Sequence, residues 1–179
     1  MNEVYGEDVV RGAFHALERP AREEIVELLP GGWCTTDAAR ALKTAVAAQM
    51  SMDVLVVQRR IVRLGVERTL TTLWRFFVKH VSDEGILKRA PNLYSRSFNR
   101  GRLELVNFQP GEAELDLHGW PDMPEFDLVG LTAGIEAVLA VTGRRDARTS
   151  TSRKGATVRL RITWRGGDAP SAPSGTSLP

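Results

Sequence analysis

Three histidines, one cysteine and two sets of charged residues are the side chains here that could do chemistry unaided. His15 falls inside an amphipathic segment, His80 near a helix end where an imidazolium would suit the dipole, and His118 at a strand end before Gly119. No two of them stand at the i, i+4 spacing that metal-binding helices use, so surface and capping roles are expected and no metal is. Cys34, beside Trp33, precedes a helix and could be a reactive thiol or simply packed. A single cysteine excludes an internal disulfide and any site built on several thiolates. The acidic set Glu112, Glu114, Asp116, Asp122, Glu125 and Asp127 invites a catalytic-carboxylate reading. Yet Glu112, Glu114 and Asp116 alternate with Ala113, Leu115 and Leu117, which places them on the solvent face of a strand. Arg159 and Arg161 sit on another strand in the same way, and cross-strand ion pairs would join the two sets.

The densest aromatic region is Trp74-Arg75-Phe76-Phe77, with Tyr94 and Phe98 further on. Leu70, Trp74 and Phe77 share a helical face. They serve either core packing or one wall of a pocket lined by Trp74, Phe77, Tyr94 and Phe98, with Arg75 or Arg96 orienting a ligand. Arg59, Arg60, Arg63, Arg68 and Arg75 raise the question of phosphate contacts. The acidic blocks on either side, and the lack of any recognisable nucleic-acid module, make such binding a minor alternative. No phosphate-cradling glycine loop, nucleophile elbow or metalloprotease helix is present, and no enzymatic activity is expected.

The elements that must position these residues follow from periodicity. Val9, Val10, Phe14, Leu17, Ile25, Leu28 and Leu29 recur at helical spacing within 5–29, with Pro20 opening a second helix. Thr35 or Thr36 caps a helix to about Met50, and Ser51 with Asp53 caps another that runs to about His80, whole or broken near Gly65. Ser82, Asp83 and Gly85 mark a short turn, with at most one further helical turn before Pro91. After that the period becomes two. Leu103, Leu105 and Phe108 form one strand and Ala113, Leu115 and Leu117 the next, joined at Pro110-Gly111. Leu128 to Thr142 is a buried helix that stops at Gly143. A polar strand over about 145–152 turns at Lys154-Gly155 into Val158, Leu160, Ile162 and Trp164. The fold class is therefore α+β: a helical half packed with a four-stranded antiparallel sheet, in the order strand, strand, helix, strand, strand. One domain is expected over 1–165 and a disordered tail over 166–179.

With 42% hydrophobic and 26% charged residues the composition is globular. No apolar run is long enough to span a bilayer, and the acidic start lacks a secretory pattern, so a cytoplasmic location is expected. The net charge of +2 conceals four blocks of −4, +7, −7 and +7, over 1–58, 59–109, 110–143 and 144–165.

The segment from Leu93 through Gly101-Arg102-Leu103-Glu104-Leu105, Pro110-Gly111-Glu112-Ala113-Glu114-Leu115, Phe126-Asp127 and Gly134-Ile135-Glu136 to Gly155 and Thr163-Trp164 resembles a known superfamily. It comprises the heme–nitric-oxide-binding and 4-vinyl reductase-type small-ligand domains, and an uncharacterised myxobacterial family is the most similar. The resemblance covers roughly 60–165 and implies a sensory or regulatory fold that holds a ligand between helix and sheet. Heme-binding members carry an axial histidine on a helix before the sheet, and a tyrosine, serine and arginine at alternating positions. Here Tyr94-Ser95-Arg96-Ser97-Phe98 has those residue types in another register, and no histidine lies between Val81 and Arg100. The cysteines that vinyl-reductase-type members often carry near the last hairpin have no counterpart in Thr149 to Val158. The implied function is a non-catalytic module that binds a small apolar ligand or a protein partner without a cofactor. The alternative is a homodimeric interaction subunit with a filled core.

Overall fold

The computed structural model describes residues 1–28, 34–73 and 82–166. The chain divides into two compact units, Met1–Val62 with Glu125–Gly130, and Arg63–Pro124 with Leu131–Pro179. Helices α5 and α8 each contribute to both.

The first unit is helical. It contains α1 (Asn2–Tyr5), α2 (Glu7–His15), α3 (Arg19–Val26), α4 (Thr36–Gln49), the start of α5 (Val54–Leu73) and the start of α8 (Glu125–Val141). Local chemistry sets these boundaries. Pro20 sits in the first turn of α3, where its missing N–H breaks no intrahelical bond. The Thr35 hydroxyl accepts from the Ala38 N–H at 3.2 Å and donates to Glu24 at 2.9 Å, which caps α4 and ties it to α3. The Asp53 carboxylate accepts from the Leu55 N–H at 2.6 Å at the start of α5. That helix passes through Gly65 without a break. Tyr5, Ala13, Val46, Ala47 and Val57 form the buried centre of this unit.

The second unit carries the sheet. Ser82 caps α6 (Asp83–Leu87) by accepting from the Gly85 N–H at 3.2 Å, and α7 (Ala90–Ser97) follows. Helix α7 is longer than the single turn expected before Pro91, because Pro91 falls in its first turn and opens the helix instead of ending a segment. Strands β1 (Arg102–Gln109), β2 (Glu112–His118), β3 (Arg145–Lys154) and β4 (Thr157–Arg165) form one antiparallel sheet, and the chain order of strands and helix is as expected. In space the strands run β1-β2-β4-β3, so the two hairpins join through their second strands. Leu115 opposes Leu160, and Leu117 opposes Val158. This central pair buries the most apolar strands on one face. A register shift between Leu105 and Asn107 explains why Leu103, Leu105 and Phe108 do not alternate strictly. At the outer edge, β3 buries no residue.

Among the described residues no helix is long and apolar enough to cross a membrane. The expected tail falls mostly at 167–179, outside the described residues.

Candidate functional site

Of the residues expected to line a pocket, Trp74, Arg75 and Phe77 lie outside the described residues. The structure brings the other two aromatics together. Tyr94, on α7, is 3% exposed. Its ring stacks on Phe98 at 4.9 Å and 22°, and Phe98 meets Trp120 edge-on at 6.0 Å. The Tyr94 hydroxyl donates to the Arg100 carbonyl at 2.6 Å, which satisfies it within the protein. Gly101 makes this approach possible: with φ +77, a Cβ there would stand 3.0 Å from both the Tyr94 hydroxyl and the His118 carbonyl. Arg96 is exposed on α7. The cation that joins the cluster is Arg100, 5.4 Å from the centre of the Trp120 ring and 2.9 Å from Asp122. Trp120 and Arg100 were not among the expected lining residues. Gly119-Trp120-Pro121 is a turn signal with an aromatic inside it, the one hint that this ring turns inward.

In the same unit, Asp83 at the start of α6 anchors the helix to the sheet. It accepts from Arg144 Nε at 2.6 Å and from Trp164 Nε1 at 2.8 Å, and it also pairs with a terminal nitrogen of Arg144.

The alternating charges pair across the sheet. Arg159 binds both oxygens of Asp116 at 2.8 Å and reaches Glu114 at 3.5 Å, while Arg161 binds Glu112 at 2.7 Å. Asp116 lies deeper than a solvent-facing strand residue should, at 8% exposure. The Arg159 hydrogen bonds hold its carboxyl below the ordinary aspartate range, outweighing the opposing effect of burial.

A second polar cluster lies in the helical unit. Asp127, 4% exposed, takes a single contact from Arg40 at 3.3 Å, and burial pushes its carboxyl upward against the pull of Arg40. Lys43 donates to Gln58 Oε1 at 2.7 Å, and Gln58 Nε2 donates to the Phe126 carbonyl at 3.3 Å. Burial lowers the Lys43 ammonium below the usual lysine value, opposed by Cys34 and Asp127. Nothing in the spacing of Arg40, Lys43, Gln58 and Asp127 foretold this cluster.

The described histidines stand apart from both clusters. His15 is exposed on α2, and His118 sits at the end of β2 between Glu104, at 3.6 Å, and Thr157, at 3.4 Å. His80 lies outside the described residues. Among the described residues no three His, Cys, Asp or Glu side chains converge as metal ligands would.

No family model matches this chain, and no curated protein matches it in sequence. Solved structures do. An oxygen-binding H-NOX domain related to soluble guanylate cyclases superposes with a TM-score of 0.65 at 15% identity, over 93% of this chain and 89% of that one. An unliganded Fe(II) H-NOX protein from K. algicida gives 0.67 at 7%, over 93% and 91%. A mutant of T. tengcongensis H-NOX gives 0.62 at 14%, over 93% and 92%. The chain has an H-NOX-like fold.

That fold implies haem, and the described residues do not fit it. Helices α6 and α7 carry no histidine, His15 faces solvent, His118 is engaged at the strand end, and the Tyr94 hydroxyl is committed to a carbonyl. None of these groups is placed to ligate a porphyrin iron.

Proposed function

We propose that this chain is a non-catalytic regulatory or sensory module that binds a small apolar ligand without haem. The observation that carries the reading is the Tyr94–Phe98–Trp120 stack inside an H-NOX-like fold. Three rings in fixed geometry offer a flat apolar surface at little entropic cost. Arg100, held by Asp122, supplies one polar group at its margin. In this reading Trp74 and Phe77 complete the apolar wall, and Arg75 or Arg96 orients the ligand.

Native mass spectrometry of the purified full chain tests it. The wild type is expected to retain a small organic molecule that Phe98→Ala loses while keeping its circular dichroism spectrum. A bare chain mass in the wild type counts against the proposal.

The same spectrum addresses a homodimeric interaction subunit, which Val26 and Val56 favour by standing 68% and 51% exposed on helices of the first unit. Phosphate binding by the α5 arginines has less support. Arg60 lies 5.4 Å from the Tyr5 ring centre, and Arg63 pairs with Glu67 at 3.8 Å.

A further inference from the structure

We propose that Arg40 and Lys43 of α4, with the start of α8, form a binding site for a small oxyanion, either a carboxylate or inorganic phosphate. This site lies wholly in the helical unit and does not depend on the aromatic cluster.

Arg40 and Lys43 are three residues apart on one face of α4, and both come to rest against the same ring. The guanidinium carbon is 5.3 Å from the centre of Phe126 and the ammonium nitrogen 5.4 Å. Two cations drawn to one ring repel each other, and the compensation shown is incomplete. Asp127 offers Arg40 one contact at 3.3 Å, and Asp37 stands at 4.0 Å with a side chain 92% exposed and so well screened.

Hydrogen-bonding capacity leaves the same surplus. Lys43 has three N–H donors, and the acceptor placed on it is Gln58 Oε1. Arg40 Nε is buried and, among the described residues, has no acceptor. Helix α8 begins at Glu125 with no side-chain cap, which leaves first-turn N–H groups beside Phe126 and Asp127. The groups facing Lys43 are Gln58, Asp127 and the Cys34 thiol, so the excess is of donors and positive charge.

An oxyanion accepting from Arg40 Nε and Lys43 Nζ would supply what both lack. A planar or tetrahedral oxyanion suits the guanidinium edge better than a halide does. Arg40 is about a third exposed, so the site can be reached from solvent, while its buried Nε admits only a small ligand end.

The test is thermal unfolding of the full chain in rising sodium acetate or sodium phosphate, with sodium chloride holding ionic strength constant. A specific site gives a saturable rise in the midpoint for the oxyanion over the chloride reference. Lys43→Met is expected to raise the half-saturating concentration about tenfold or more. Lower half-saturation with acetate assigns the site to carboxylates, and with phosphate to inorganic phosphate. A rise that never saturates, or that Lys43→Met shares in full, is general salt exclusion and overturns the proposal. Should the variant fold poorly, amide chemical shifts of Arg40, Lys43, Phe126 and Asp127 in the wild type decide. Saturable movement with the same midpoint supports the site, and its absence removes it.

Discussion

Asp116 in the sheet unit and Asp127 in the helical unit are both nearly closed to solvent, and each faces an arginine, yet their carboxyls shift in opposite directions. Arg159 binds both Asp116 oxygens at 2.8 Å, so the charge is hydrogen-bonded as it is buried. Arg40 reaches Asp127 with one contact at 3.3 Å, and desolvation prevails. Burial therefore fixes the sign of neither shift; the number and quality of the bonds made to the charged form decide it. Asp83 extends the contrast, since each of its oxygens accepts from a different residue, Arg144 and Trp164. The sheet unit encloses its carboxylates in completed networks, whereas the helical unit leaves its cluster open.

Substitutions that remove these carboxylates should rank accordingly. Asp83→Ala strands the Arg144 guanidinium, 7% exposed, and the Trp164 indole N–H at once. It should cost about 3–5 kcal/mol in urea unfolding. A loss under about 1 kcal/mol would mean that α6 is not anchored through this residue.

Asp116→Asn should cost about 1–3 kcal/mol at neutral pH, because Arg159 is partly exposed and can turn to Glu114 or water. Its pH dependence is the sharper readout. A carboxyl lowered in the folded state contributes stability that is present above the unfolded aspartate value of about 3.9 and lost as pH falls through the lower folded value. The gap between wild type and variant should therefore close on acidification.

Asp127→Asn should have the smallest effect, within about 1 kcal/mol, and the opposite trend. A carboxyl raised in the folded state penalises stability while charged. That penalty is full above the folded value and relieved as pH falls towards the unfolded one. Relative to the variant, the wild type should gain stability on acidification. Parallel pH profiles for the two substitutions would erase the distinction between the units.

Much of the sheet could be read from the sequence because period two is strict where one face is buried, as in Val158, Leu160, Ile162 and Trp164. The cross-strand charge pairs followed from that period, since a strand face and a partner suffice to define them. Helix α7 did not follow, because Pro91 reads equally as a stop or as a first-turn residue. The Arg40–Lys43–Asp127 cluster was out of reach for another reason. Its members are up to 87 residues apart, and only tertiary packing sets which charge meets which. Tyr94 and Phe98 were visible as aromatics four residues apart, but Trp120 enters their stack from a turn whose direction no periodicity encodes.

An H-NOX-like fold whose described residues leave no ligand for haem iron has one direct test, the absorption spectrum of the full chain purified from cells supplied with haem. We expect no Soret band above that of a haem-free control protein. A stoichiometric Soret band that shifts on reduction would show that the chain holds haem and would contradict this reading.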